Sequence, residues 1–361
     1  MSGNRLKVHR KGLSSSHRAD ISEKQTTATL APGDISRWST HLGMLYSGLL
    51  DGRWTHDYAR SSIVEIFTHT FPPSTLVSEW CFRHFQHIVT QFHNQKERIL
   101  LKAVQFLYDC LISAKKCAIS HGKENVNEGS PQPINIVWNR LLDEAFAKDR
   151  RHRIGICWVL KTITSFASKE SFPISESVKQ RMIAILGNLL NDHEQEVRRL
   201  CVAALIPFQL EESILYAFIL CFNDESPAVR REVVLAIESS SIKSNAAFER
   251  LLMARSYDVC PTVRCAVMQK FRSLQGHVST ASKRRVLYNG LNDGNEVVRK
   301  ACIRMLQLWV FEQLDEQEES VLSHGRGKLH KFIDTMLEVG AETEIVLEKV
   351  IEAYMESCTV R

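Results

Sequence analysis

Between Asp192 and Leu306 the chain runs four times through one arrangement of apolar and polar positions. Taking Val197, Val229, Val263 and Val298 as origins, apolar side chains return four, five and eight residues later. They are Cys201, Val202 and Leu205; Val233, Val234 and Ile237; Val267, Met268 and Phe271; and Cys302, Ile303 and Leu306. That spacing is one face of a helix. A second apolar-periodic run precedes each origin, as in Ile214, Leu215, Phe218, Ile219 and Phe222, so the unit is predicted to be helix, tight turn, helix. Neither helix can bury its face alone. Stacked neighbours must cover it, which predicts an all-α architecture, an α-solenoid of helical hairpins with a continuous core.

The turn inside each unit carries a fixed phrase. Asp192–Val197–Arg198, Asp224–Val229–Arg230, Asp258–Val263–Arg264 and Asp293–Val298–Arg299 each hold four residues between the Asp and the Val-Arg pair. The arginines recur at intervals of 32, 34 and 35 residues. A turn Asp accepts backbone N–H groups and suits the positive end of the next helix, and Ser226-Pro227 and Cys260-Pro261 mark where that helix opens. Each Arg is placed to reach an Asp of its own or an adjacent unit, which predicts a structural Asp–Arg ladder. The phrase resembles the HEAT repeat, with a period shorter than the roughly 40–47 residues usual for that class.

Outside these four units the pattern is looser. Residues 1–34 carry Arg5, Lys7, Arg10, Lys11 and Arg18 before the first acid and show no helical periodicity, which predicts a disordered basic tail. Residues 35–361 are read as the solenoid, with flexible loops near 121–133 and 313–327. Helix pairs are expected over about 36–70, over 74–115 with a break near 93–96, and from Ile134 onward. A last amphipathic pair is expected from Leu329 to about Met355. Asp149–Arg153 is read as a damaged repeat turn with Arg153 in the ladder place. In the 121–133 linker, Lys123-Glu124-Asn125 matches a KEN tripeptide and Ser130-Pro131 a minimal proline-directed phosphorylation site, and both also suit an ordinary loop.

Composition narrows the class. A chain of 361 residues with 44% hydrophobic content, 9 prolines and 16 glycines suits a helix-rich folded protein. It has no apolar run of about 18 residues or more and no signal-peptide core near its start, so no membrane partner is expected; no small-molecule substrate is expected either, in line with the absence of catalytic motifs. Ten cysteines lie scattered without CxxC pairs, and Cys201 and Cys302 fall on core positions. They are read as small buried hydrophobes of a reducing compartment. His84, His87 and His93 lack carboxylate or cysteine partners at ligand spacing, so no metal and no cofactor is expected. Phosphate-cradling Gly loops, HExxH helices and Gly-x-Ser-x-Gly elbows are absent, and the reading is non-enzymatic.

The net charge of +5 is mild, so its distribution matters more. Arg199, Arg231 and Lys300 directly follow ladder arginines, Arg304 lies one turn past Lys300, and Lys283-Arg284-Arg285 opens a preceding helix. Gathered in one groove, these cations suit a phosphate backbone. Balanced by Glu196, Glu232 and Glu296, they suit an ordinary solvated face.

The succession of segments resembles the amino-terminal HEAT-repeat region of the condensin G subunit family over about residues 60–310. The segments are ERILLKAVQFLYDC, DHEQEVRRLCVAAL, DESPAVRREVVLAI, RSYDVCPTVRCAV and GLNDGNEVVRKACIRML. The resemblance implies a subunit that is held by the kleisin of condensin and, through it, joins the SMC ATPase pair. It also implies binding of duplex DNA without sequence preference in mitotic chromosome condensation, at the nucleus and chromosome and in the cytoplasm for part of the cell cycle. Carried onto this chain, the DNA-binding candidates are Arg199, Arg230, Arg231, Lys300, Arg304 and Lys283, Arg284 and Arg285, with Arg150 and Arg151 next. The alternative is a HEAT scaffold or adaptor that binds proteins without DNA contact.

Overall fold

The computed structural model describes residues 32–70, 73–120, 132–169, 175–274 and 277–311. Among these residues every regular element is a helix, and the helices pair as successive hairpins. The pairs are α1 (Pro32–Leu50) with α2 (His56–Thr70), α3 (Ser74–Gln91) with α4 (Glu97–Ser120), α5 (Pro133–Asp143) with α6 (Arg150–Lys169), and α7 (Glu176–Leu189) with α8 (Gln195–Leu205). There follow α9 (Glu212–Cys221) with α10 (Pro227–Ala236), the short α11 (Ser239–Ser244) and α12 (Ala247–Arg255) with α13 (Pro261–Ser273), and α14 (Thr280–Leu291) with α15 (Glu296–Phe311). Second helices stack in one row, α2 on α4, α6, α8, α10, α13 and α15 in turn. First helices form the other row, with α3 on α5, α5 on α7, α7 on α9 and α12 on α14. The chain is an all-α solenoid of HEAT-like hairpins.

The core runs between the rows. Val197, Val229, Val263 and Val298 are fully buried, as are the side chains four and eight residues beyond each of them. Five residues beyond, Val202, Val234 and Met268 are equally buried, while Ile303 is only partly covered. Where α6 crosses α3 there is no room for a side chain. A Cβ on Gly155 would stand 2.9 Å from the carbonyl oxygen of Val89, which is backbone and cannot give way easily.

The turns explain how successive hairpins keep register. Arg198 of α8 donates from Nε and Nη2 to both carboxylate oxygens of Asp224 in the next turn, at 2.8 and 2.9 Å. Its Nη1 donates to the carbonyls of Asp192 and His193 in its own turn. Arg230 repeats this with Asp258, and Arg264 with Asp293. Each of these Asp carboxylates also accepts the backbone N–H two residues on, from Ser226, Cys260 and Asn295. The guanidinium is thus satisfied on three sides, and the carboxylate is held by charge and by the turn. Arg299 donates Nη1 to the carbonyl of Asp293 in the same way.

Several expectations change. The turn read as damaged makes a complete rung, since Arg153 bonds both oxygens of Asp192 at 2.8 and 3.0 Å and two carbonyls of its own turn. Asp149 acts instead as a cap, accepting the N–H groups of Arg151 and His152. Helix α1 starts at Pro32, inside the stretch read as a tail, and α4 continues to Ser120. Helix α11 falls outside the elements that the apolar pattern predicts. The buried Gln209 builds it from thirty residues away, accepting Glu238 N–H at 3.0 Å and Ser241 Oγ–H at 2.5 Å. The tail through residue 31, Lys123-Glu124-Asn125, Ser130, the 313–327 loop and the Leu329–Met355 pair lie outside the described residues.

The ladder makes stability depend on charge. Burial pushes the Asp192 and Asp258 carboxyls up, but the guanidinium and N–H bonds outweigh it and hold both below the usual carboxylate range. For Asp293, Arg264 is the leading cause of the same lowering. A carboxyl whose folded value lies below its unfolded value of about 3.9 stabilises fully above that pH. The contribution is lost as pH falls through the depressed folded value. Acid titration followed by circular dichroism should therefore show a flat profile down to about pH 5 and progressive loss of stability below about pH 4. Asp258→Ala should cost on the order of 3–5 kcal/mol in urea unfolding, because it strands the buried Arg230. A cost under about 1 kcal/mol would show that the rung is ornamental.

Candidate nucleic-acid interface

The residue after each ladder arginine falls at an equivalent place on stacked second helices. Arg199, Arg231, Cys265 and Lys300 occupy it on α8, α10, α13 and α15. A helix turns about 100° per residue, so this position points out of the junction that its predecessor fills. The row is therefore cationic at three places and interrupted by a thiol at the fourth. Burial pushes that Cys265 thiol up, and Arg231 is close enough to oppose the shift.

The three cations differ in how free they are. Arg199 is clamped, with Nε and Nη2 donating to Glu196 at 2.9 and 2.6 Å and Nη1 to Glu232 of the next unit at 3.0 Å. Bonding to Glu196 is the main reason its guanidinium sits above its ordinary range. Arg231 is half-buried, and among the described residues no carboxylate lies within salt-bridge distance of it. Lys300 pairs with Glu296 at 2.6 Å, both side chains 65% exposed, so solvent screens the pair and an external anion can displace the acid. Arg304, one turn on, is exposed with no carboxylate against it among the described residues.

Arg150 and Arg151 open α6, where the helix dipole disfavours positive charge. Arg150 meets Glu194 at 3.2 Å, and Arg151 is exposed. An anion drawn to these side chains would gain from the helix end as well.

The sequence suits Arg230 both to the ladder and to DNA contact, and the structure leaves it only the first. It is 8% exposed, with its donors committed to Asp258 and two carbonyls. Lys283, Arg284 and Arg285 do not join the row either, because they lie on α14, a first helix, while the other candidates are on second helices. Arg285 leans onto Tyr257 of the preceding unit, Nε donating to the phenol oxygen at 3.3 Å.

His84, which the sequence set beside two other histidines, is packed rather than poised. Its ring stacks 3.9 Å from that of Trp80, and burial lowers its pKa. Among the described residues no group of three His, Cys, Asp or Glu side chains could hold a metal ion. No described helix is long and apolar enough to cross a membrane.

No protein-family model matches the sequence, and no curated protein matches it. Among solved structures, the chain resembles one from the Schizosaccharomyces pombe condensin Cnd3-Cnd2 subcomplex, with a TM-score of 0.50 and 19% identity. The likeness covers 78% of this chain and 38% of that one, and it is a likeness of fold. The Escherichia coli protein YibA matches at a TM-score of 0.41 and 17% identity, covering 78% of this chain and 96% of that one. An engineered protein matches at 0.35 and 15%, covering 62% and 95%.

The separation of ladder from surface is testable by stability alone. Arg230→Glu should lower unfolding free energy by about 3–5 kcal/mol, since it sets a second acid against buried Asp258. Arg304→Glu should stay within about 0.5 kcal/mol of wild type. Equal effects in parallel denaturant titrations would contradict the assignment.

Proposed function

We propose that this chain is a non-enzymatic HEAT-repeat subunit of a condensin-type complex. In this reading it binds duplex DNA through the second-helix row and a kleisin subunit elsewhere along the solenoid, and through the kleisin it joins an SMC ATPase pair. It works on chromosomes in the nucleus. The observation that carries the reading is the cationic row outside the ladder, with Arg231 on α10 and Lys300 and Arg304 on α15, two units further along the same stack of second helices. The likeness of fold to a chain of a condensin subcomplex supports it. Arg150 and Arg151 add positive charge at the start of α6, earlier in the same stack of second helices.

The binding step would be electrostatic. Each phosphate met by a guanidinium or ammonium releases condensed counterions into bulk solution, which drives association without regard to base sequence. Cations spread over several units of one row suit a long polyanion, which touches many units at once. Arg231 and Arg304 need no rearrangement for this. Lys300 would exchange Glu296 for phosphate.

One observation favours a second reading, a protein-binding adaptor. Arg199 is neutralised by Glu196 and Glu232 across two units, as expected of a face whose charges serve packing. The two readings separate on salt dependence. Duplex DNA binding at about 50 mM salt should weaken steeply as salt rises, and Arg231→Glu, Lys300→Glu and Arg304→Glu together should reduce the log–log slope by about 0.9 per lost contact. Absence of binding at that salt would favour the adaptor, and co-purification with a kleisin fragment would then decide whether the condensin reading survives.

A further inference from the structure

The Lys283–Arg285 cluster borders a cleft on the other face of the solenoid. Helices α12 and α14 are neighbours in the first-helix row and leave between them an open cleft of about 620 Å³. Arg250 projects from α12 and Arg285 from α14, so the two walls each supply one guanidinium. Both are exposed, and among the described residues neither has a carboxylate within salt-bridge distance. The one acid in the lining, Glu249, is already engaged. Its Oε1 accepts Ser279 N–H at 2.9 Å and Ser279 Oγ–H at 2.6 Å, closing the start of α14.

Beside Ser279, Ser282 adds a second hydroxyl at the start of α14, and the remaining lining is mostly apolar. Met253, Ala254 and Ala281 form its floor and sides, and Tyr257, 56% exposed, stands at its edge with Arg285 held 5.4 Å over the ring. An exposed tyrosine with an arginine laid on it offers a flat amphipathic wall at little entropic cost. Two opposed guanidiniums above an apolar floor suit a ligand that carries acid groups and a hydrocarbon side chain together.

We infer that the α12–α14 cleft is a binding site for a short acidic peptide segment, with Arg250 and Arg285 gripping carboxylates from opposite walls and an aliphatic side chain resting on Met253 and Ala254. A peptide fits better than a nucleic acid here. Neighbouring helix axes lie only about 8–10 Å apart, a gap that a duplex cannot enter, and a phosphate backbone gains nothing from an alanine and methionine floor. Glu249 would also repel a continuous polyanion, whereas a peptide can place a neutral residue beside it. The inference stands on a different face and different residues from the DNA row, so either can fail without the other.

The test is selection of a random octapeptide library on the full chain, followed by fluorescence anisotropy of the most enriched peptide. The expected result is enrichment of Asp and Glu around an aliphatic residue. Arg250→Glu with Arg285→Glu should then weaken that peptide by at least about tenfold, equivalent to one lost charge-assisted contact. Ala254→Trp, which fills the exposed floor and leaves both arginines, should weaken it comparably. Arg231→Glu, Lys300→Glu and Arg304→Glu should leave it unchanged. All these positions are exposed except the half-buried Arg231, and matching melting temperatures would show that the variants fold. Enrichment without acids, full affinity in either cleft variant, or displacement of the peptide by a short DNA duplex in the variant lacking the row cations would overturn the proposal.

Discussion

Every junction from α6 to α15 rests on one interaction, a guanidinium that clasps the carboxylate of the following turn with two donors and its own turn with a third. Apolar packing alone leaves the register of such hairpins less sharply specified than a directional, bidentate contact does. The rung removes that freedom. It fixes the angle of the second helix against its own turn and the distance to the next turn in a single planar group. Its charges are mostly sheltered from water, so breaking one partner costs more than the pair contributes when intact. The apolar stripes then pack in the one arrangement that the rungs leave open.

The same arrangement divides the surface by function. Because the ladder uses one arginine of each Val-Arg pair, the next side chain is turned outward by the helix, and successive units place such side chains in a row. Chemistry varies freely there. Arg199 is spent on two glutamates, Arg231 is free of carboxylates among the described residues, Cys265 is neutral and Lys300 is loosely paired. First helices have no such row, and their candidate chemistry collects instead in a cleft between α12 and α14, where one guanidinium comes from each wall.

Much of this was legible in the sequence. The offsets of four, five and eight residues after each Val located the core, and the Asp-to-Val-Arg spacing located the rungs, because a fixed period ties sequence position to spatial position. Helix α11 was not legible, since a Ser-rich stretch folds there only around Gln209, a residue of another unit. Arg230 and Arg231 look alike in sequence, yet one helix step sends the first into the junction and the second outward. The same step, applied to each pair, would have removed Arg230 from the surface candidates. Lys283–Arg285 would have been separated by noting that first and second helices occupy different rows.

The direction of the ladder has a further consequence. Arg153, Arg198, Arg230 and Arg264 each bond the carboxylate of the next turn, so a unit is a plug at one end and a socket at the other. Any unit can follow any other without a mismatched charge. Over evolutionary time such a chain can gain or lose whole hairpins and still close every joint, while an insertion within a turn parts plug from socket. Length is therefore the cheapest property for this architecture to change, and the identity of the outward side chains comes next.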